Sequence, residues 1–231
     1  AGTRLQKSKG IVDTAEEHFA DIMRISRGTV NAGLVRLAVD HAGATFDWLM
    51  ENGLDVLPEH PVLGQAHEPY SKPRYAWGAR MGLSIIAVIE PLLAAEIARG
   101  AIDLRLNHEV TSLLQETSGA IVGVEAHDAK GRLMTFHGDS IVLTAGGYMG
   151  NPTMFEALTG LPQFYRGANP KNRGMVHQIV EAAGGFIRGA DLYLSNFGNV
   201  LDGEDFPAGL AARINHFPDL RPPWVIYVNL H

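Results

Sequence analysis

The sequence predicts a mixed α/β fold in which helices precede a meander of short strands, and a further strand ends in a glycine pair. Helical spacing of apolar residues marks the first hundred residues. Alternating runs separated by turn signals follow between Ile102 and Gly138. The apolar segment SIVLTAGG (140–147) then ends in Gly146 and Gly147. A glycine pair at a strand end indicates backbone freedom or the close approach of another group.

The first two helices are predicted before residue 53. Asp13 followed by Glu16 has the character of a capping box, and TAEEHFADIMRIS continues with helical spacing. Asn31 is expected to cap the second helix, whose apolar face ends at the stop signal Asn52-Gly53.

The segment from Leu54 to Gly82 has no helical pattern and is rich in proline, histidine, aromatic residues and arginine. A loop of this length is unusual in a compact domain unless it binds a ligand, although a surface loop held by its own aromatic residues would give the same pattern. Arg74, Tyr75 and Arg80 are its candidate catalytic residues, because a cation can polarise a substrate and a proton donor can complete the reaction. Surface pairing and packing are their alternative role.

A third helix is predicted from Ser84 to Arg99, bent at Pro91 and stopped by Gly100. Four short strands are then predicted, of which the last three form an antiparallel meander separated by turn signals; they are IDLRLN (102–107), EVTSLLQ (109–115), AIVGVEAHD (120–128) and RLMTFHG (132–138).

Shorter elements are predicted beyond Gly147. NPTMFEALTG indicates a short helix that starts at Pro152. NRGMVHQIVEAAGGFIRGADLY (172–193) indicates a helix ended by Gly184-Gly185 and then a strand. WVIYVN (224–229) is typical of a final strand.

The composition argues against several classes of function. The formal net charge is −6 and no basic stripe is visible, so a general nucleic-acid binder is not expected. The absence of cysteine excludes disulfides, zinc–thiolate sites and thiol nucleophiles, and it fits a reducing compartment, so we expect a cytoplasmic protein. No apolar run reaches the ~20 residues of a membrane-spanning helix.

The order of these elements resembles the flavoprotein family of fumarate reductase and succinate dehydrogenase, which also contains soluble fumarate reductases and ketosteroid dehydrogenases. IVLTAGGYMGN (141–151) is similar to the family's apolar strand followed by Ala-Thr-Gly-Gly and a downstream asparagine. AIVGVEA (120–126) resembles its Gly-x-Val-x-Gly-Val strand, and GTRLQKSKGIVD (2–13) resembles the segment after its first nucleotide-binding helix. The resemblance runs from Gly2 to about Tyr193.

The resemblance implies part of an FAD-binding doubly wound domain. The segment 140–147 would be a strand of its parallel sheet, with Ala145, Gly146 and Gly147 against the dinucleotide. The other implied FAD contacts are Gly2 and Thr3, in a glycine-rich turn near the flavin, and Val110, which matches the residue whose backbone meets the adenine. From spacing alone, an ordinary strand-to-loop turn is the favoured interpretation of the glycine pair.

The sequence also departs from the family pattern. No GxGxxG motif occurs, and the strand and glycine loop expected just before Ala1 are absent. The family's Thr-Gly-Asp-Gly appears as KNRG (171–174), and Asn196 stands where fumarate reductases have a histidine that binds a substrate carboxylate. We therefore expect an internal fragment, with weak or absent FAD binding and no turnover by itself. Residues 1–150 would be a partial FAD-binding domain lacking its first βαβ unit, and residues 151–231 a partial substrate-capping domain.

The predicted function of the complete protein is that of an FAD-dependent oxidoreductase, which transfers a hydride between flavin and a carbon–carbon bond of a small organic substrate. A folded non-catalytic fragment and a binding module without redox chemistry are the alternatives. Neither metal-ligand spacing nor a nucleophile elbow is present. A homo-oligomer formed through an exposed sheet edge is a further expectation.

Overall fold

The computed structural model describes residues 1–64, 70–167, 169–190 and 199–213. These residues divide into two compact units, one over Ala1–Leu104 and one that begins at Arg105. The predicted division into domains 1–150 and 151–231 stays a prediction. The presence of both helices and an antiparallel sheet confirms the mixed α/β class.

The first unit contains the helices α1 (Arg4–Ser8), α2 (Ala15–Ser26), α3 (Ala32–Glu51) and α4 (Gly82–Ala98). The limits of α3 confirm the sequence signals, because the Asn31 side chain accepts a hydrogen bond from the Leu34 N–H and Asn52 forms the C-terminal cap. Gly53 follows with a φ of 98°, a conformation that favours glycine.

The start of α2 differs from the prediction by one residue. The capping box is formed by Thr14 and Glu17, whose side chains each accept a hydrogen bond from the other residue's backbone N–H. Asp13 and Glu16 do not form it. The carboxylate of Asp13 is instead drawn into a buried ion-pair cluster, which local sequence rules do not take into account.

The loop between α3 and α4 is irregular in its described part, as predicted. Two isolated antiparallel bridges, Val56 with Gly78 and Val62 with Tyr75, hold it together. The buried ring of His60 accepts a hydrogen bond from the Trp77 N–H at 2.9 Å through Nδ1, which gives this histidine a structural role. His67 lies outside the described residues.

Helix α4 contains Pro91 and is apolar on nearly all sides. Such a helix is usually buried, yet Val88 is its only buried residue. Its exposed side chains include Leu83, Ile85, Ile86, Ile89 and Leu92. The described residues of the first unit therefore leave an apolar helix surface in contact with solvent.

The second unit is built on the predicted meander, with strands β1 (Glu109–Gln115), β2 (Ile121–His127) and β3 (Leu133–His137) in the order β1-β2-β3. Both pairs are antiparallel, and Val110 lies opposite Ala126, which is 1% exposed. Two register shifts interrupt β1. Irregularities of this kind weaken the pairing of an edge strand with another chain.

Two predicted strands are wrong. The segments 102–107 and 140–147 belong to no strand, and Val142 in the second segment is 82% exposed. A strand requires a neighbour that satisfies its backbone N–H and C=O groups, and within the described ranges neither segment has one. Both segments have the apolar character that favours a strand. The neighbouring strand that would pair with each of them depends on the tertiary structure and is not indicated by the local sequence.

The remaining elements are α5 (Pro152–Thr159), α6 (Met175–Ala182) and a hairpin of β4 (Asn199–Leu201) and β5 (Leu210–Arg213). The predicted start of α5 is confirmed, with Asn151 capping and Pro152 at the first helical position. Residues 186–190 form no strand, contrary to the prediction for 172–193. The remainder of that predicted strand and the strand 224–229 lie outside the described residues.

Candidate cofactor-binding site

The predicted glycine-rich turn at Gly2 and Thr3 leads into α1. The Thr3 hydroxyl accepts a hydrogen bond from the Gln6 N–H at 3.1 Å, and Gln6 Oε1 accepts from the Thr3 N–H at 3.2 Å. This reciprocal capping occupies Thr3, which is 8% exposed. Gly2 has a φ of 70°. Contact of these two residues with a cofactor stays a prediction.

Arg74 lies at the centre of a buried charge cluster in the first unit. Its Nε and Nη2 atoms donate to the two carboxylate oxygens of Asp13 at 2.7 and 2.6 Å, which is a bidentate arrangement. Its Nη1 donates to Asp21 Oδ2 at 2.5 Å. The side chains of Arg74, Asp13 and Asp21 are 4%, 0% and 6% exposed.

Further hydrogen bonds complete the cluster. Gln6 Nε2 donates to Asp13 at 2.7 Å and to the Pro73 carbonyl at 2.9 Å. The N–H and hydroxyl of Ser71 donate to Asp21 Oδ2, each at 2.7 Å, and Arg24 donates to Asp21 Oδ1 at 2.9 Å. A buried ion pair is stable only when such partners replace the lost water. The cluster therefore ties the loop at residues 71–74 to α1 and α2.

The pKa values in this cluster favour the charged forms. Burial alone would raise the pKa of both carboxyls, but hydrogen bonds from Arg74 and Gln6 lower the pKa of Asp13, and those from Ser71, Arg74 and Arg24 lower the pKa of Asp21. Burial opposes the charge of Arg74, and the two carboxylates nevertheless raise its pKa.

This geometry separates the three candidate catalytic residues of the loop. The guanidinium of Arg74 is shared between two carboxylates, which favours a structural role. Tyr75 is partly buried and its ring lies against Gly64. Arg80 is exposed, and its side chain forms no ion pair in the part of the chain that the structure describes. A catalytic role stays a prediction for all three, and Arg80 is the cation that remains open to solvent.

His18 faces the same cluster from α2. Its Nδ1 atom is buried without a hydrogen-bond partner among the described residues, and its ring packs edge-on against Tyr70 at 5.6 Å between centroids. Burial lowers the pKa of His18 to about 4, and the positive charges of the Ala1 amino group and then of Arg74 act in the same direction. The imidazole is therefore neutral at physiological pH.

We expect the free energy of unfolding to decrease as the pH falls from about 6.5 to about 4, because the unfolded chain binds a proton at His18 that the folded chain does not. The expected loss is about 1–2 kcal/mol, after allowance for partial solvent exposure. Asp13 and Asp21 act in the same direction at lower pH, since their pKa values are lowered by folding.

Denaturant titrations of the wild type and His18→Phe between pH 4 and 7 would test this expectation. The phenyl ring keeps the contact with Tyr70 and cannot be protonated, so the variant should lose less stability in this window. His41→Phe, at an exposed position of α3, is the control. An unchanged pH dependence in His18→Phe would contradict the assignment.

A cavity of about 1050 Å³ lies in the second unit. Its walls are formed by four segments, which are the start of β1, the turn after β2, the extended segment 140–145 and the start of α6. The predicted residues Val110 and Ala145 both line this cavity. Gly146 and Gly147 directly follow Ala145 but are not among its lining residues.

The fold requires glycine at the first of the two glycine positions of the TAGG sequence but not at the second. Gly146 has a φ of 80°, and a Cβ there would lie 2.8 Å from Asn172 Oδ1, so the backbone itself requires glycine. Gly147 has no positive φ, and no described atom lies within 4 Å of where its Cβ would be. Its carbonyl accepts a hydrogen bond from the Gly174 N–H at 3.1 Å. The fold therefore gives no reason for glycine at position 147.

The KNRG segment supplies cationic side chains to the cavity. Lys171 and Arg173 both line it, and they directly precede Gly174, the N-terminal cap of α6. Gly174 has a φ of 76°, and a Cβ there would collide with Met154. The retained glycine of this segment is thus explained by backbone geometry.

Sequence reasoning missed several of these residues. Asp21 is the only buried residue of α2, and a buried carboxylate requires a cation, but its burial is known only from the structure and no local sequence signal indicates it. Glu109, Lys171 and Arg173 meet at the cavity only because β1 and α6 pack together.

Asn196 lies outside the described residues. Within those residues, no group of three His, Cys, Asp or Glu side chains could hold a metal ion, and no helix has the length and hydropathy to cross a bilayer.

Comparison with known proteins matches this chain to flavoproteins. A family model described as FAD binding domain matches residues 1–197. The fumarate reductase (cytochrome) of Shewanella frigidimarina is 25% identical over 193 residues, which cover 81% of this chain and 32% of that protein. The chain spans a third or less of the curated relatives it matches.

Solved structures share the fold. A flavocytochrome c3 fumarate reductase in an open conformation matches with a TM-score of 0.67 at 22% identity, covering 79% of this chain and 32% of that chain. The 3-ketosteroid-Δ4-(5α)-dehydrogenase of Rhodococcus jostii RHA1 matches with a TM-score of 0.60 at 18% identity, covering 79% of this chain and 43% of that chain. The chain belongs to the FAD binding domain family, the flavoprotein family of fumarate reductase and succinate dehydrogenase.

Proposed function

We propose that the complete protein is an FAD-dependent oxidoreductase that transfers a hydride between flavin and a carbon–carbon bond of a small organic substrate. The observation that carries this proposal is the family match over residues 1–197, together with the cavity that Val110 and Ala145 line. Relatives of the chain are named fumarate reductase, vinyl phenol reductase and urocanate reductase. These names favour a substrate with a carbon–carbon double bond.

The residues of the second unit fit a dinucleotide. The cavity volume of about 1050 Å³ is close to the upper limit of ordinary ligand pockets. Apolar side chains such as Val110 and Ile141 offer a surface for a flat ring system, and Lys171 and Arg173 offer positive charge to phosphates. The open backbone at Gly147 suits close approach by a ligand.

Each group of residues then has a distinct task in the proposed function. FAD, when bound, would supply the redox chemistry by giving or accepting the hydride. Val110 and the segment 140–145 would hold the dinucleotide. The small residues Ala145, Gly146 and Gly147 would allow the dinucleotide to lie close to the protein backbone. Arg80 would polarise the substrate, because it is the exposed cation of the long loop.

The division into a partial FAD-binding domain (1–150) and a partial capping domain (151–231) belongs to the same proposal, as does a cytoplasmic location.

We expect the full-length protein to carry FAD after purification. The measurement is a visible spectrum of the native protein and of the supernatant after denaturation, with the released cofactor identified by chromatography. A protein that is colourless and cannot be reconstituted with added FAD would contradict the proposal. That result would favour a binding module without redox chemistry.

A further inference from the structure

Four charged side chains line the cavity of the second unit, which are Glu109, Asp128, Lys171 and Arg173. The carboxylate of Asp128 is committed elsewhere. It accepts hydrogen bonds from the N–H groups of Lys130 and Arg132 at 2.8 and 2.9 Å, and it pairs with the Arg132 guanidinium at 2.7 Å. Asp128 therefore contributes little free negative charge to the cavity.

Glu109 and Arg173 form the remaining opposed pair. Arg173 Nη2 lies 3.4 Å from Glu109 Oε1, and the two side chains are 67% and 57% exposed. A pair of this kind is weak, because water screens it and both side chains lose conformational freedom. Lys171 forms no ion pair in the described part of the chain. An anionic ligand could therefore displace Glu109 from Arg173.

We propose that Glu109 determines the specificity of this cavity for the charge of its ligand, by competing with a phosphate for Arg173. This inference rests on the proposed nucleotide-binding function and deepens it. Arg173 attracts a phosphate of the ligand, and the Glu109 carboxylate both neutralises Arg173 and repels the incoming phosphate. A neutral ligand that uses only the apolar wall at Val110 and Ile141 experiences neither effect.

The inference has a measurable consequence for nucleotides that differ in charge. Glu109→Gln should raise the affinity of the chain for ADP by about fivefold at low ionic strength, as expected for one charge at about 4 Å in a water-like medium. Arg173→Gln should lower that affinity by a similar factor. The affinity for adenosine should be unchanged in both variants, and the ADP effects should shrink at high salt because the Debye length becomes shorter.

Affinities for ADP, adenosine and FAD would be measured on the full chain by NMR titration, which detects dissociation constants up to the millimolar range. Glu156→Gln is the matched control, because it removes the same charge at an exposed position of α5 outside the cavity. The double variant Glu109→Gln/Arg173→Gln completes a cycle, and the gain from Glu109→Gln should be smaller in the Arg173→Gln background.

The possible failures are distinguishable. If the folded wild-type chain binds neither adenosine nor ADP, the inference about Glu109 is overturned, whereas the proposed function is overturned only by a full-length protein that neither carries FAD nor can be reconstituted with it. If the wild type binds ADP but Glu109→Gln changes its affinity no more than Glu156→Gln does, only the role of Glu109 is overturned. An equal gain for adenosine and ADP would show that the effect is not one of charge.

Discussion

Arg74→Met is expected to destabilise the chain by about 3–5 kcal/mol, because it leaves the buried carboxylates of Asp13 and Asp21 without their shared cation. The side chains of these residues are 0% and 6% exposed, so solvent does not compensate for the loss. A change of this size is a third or more of the stability of many domains. The measurement is a denaturant titration, followed by circular dichroism, at neutral pH.

Arg80→Met is the matched control for this prediction. Arg80 belongs to the same loop, carries the same charge and is exposed, so its loss should change the stability by no more than about 0.5 kcal/mol. A loss of less than about 1 kcal/mol in Arg74→Met would show that the cluster contributes little. In that case Arg74 would return as a candidate for substrate contact on equal terms with Arg80.

Gly147→Val in the full-length protein is expected to lower the affinity for FAD by about 5- to 150-fold, which corresponds to about 1–3 kcal/mol of steric conflict. The reason is that a side chain at this position has free space within the fold but would meet a dinucleotide that approaches the backbone. Stability without cofactor should stay within about 0.5 kcal/mol of the wild type. FAD affinity would be measured by reconstitution of the cofactor-free protein.

Two other glycines give this experiment its controls. Gly146→Val should destabilise the fold itself, by about 1–2 kcal/mol or more, because its φ is 80° and Asn172 occupies the adjoining space. Its effect on FAD is therefore ambiguous, whereas that of Gly147→Val is not. Gly203→Val, also in open space and without positive φ, should leave FAD affinity unchanged. Wild-type affinity in Gly147→Val would mean that the glycine pair is an ordinary strand-to-loop turn.

The local elements of this protein could be predicted from the sequence because their causes lie within a few residues. Asn31 and Asn151 each cap a helix by accepting from an N–H three residues later, and turn signals of a few residues separate the strands of the meander. The order of these local signals was also sufficient to indicate the flavoprotein family, which the match over residues 1–197 confirms.

Contacts between distant residues could not be predicted in the same way. Asp13 has the sequence character of a helix cap, but Arg74, 61 residues away, takes its carboxylate. The apolar segment 140–147 has the composition of a strand, but a strand also needs a neighbour, and no described residues provide one.

For the candidate site, too, some features could be predicted from the sequence and others could not. The sequence by itself determined the short motifs that resemble the flavoprotein family, and this resemblance implies FAD contacts at Gly2, Thr3, Val110, Ala145, Gly146 and Gly147. Only the tertiary structure decided that Gly146 is required by its backbone while Gly147 is not. It also decided that Arg74 is buried between carboxylates and that Glu109 faces Arg173 at the cavity. The physical reason is that burial and ion pairing depend on which segments pack together, and sequence spacing does not encode that packing.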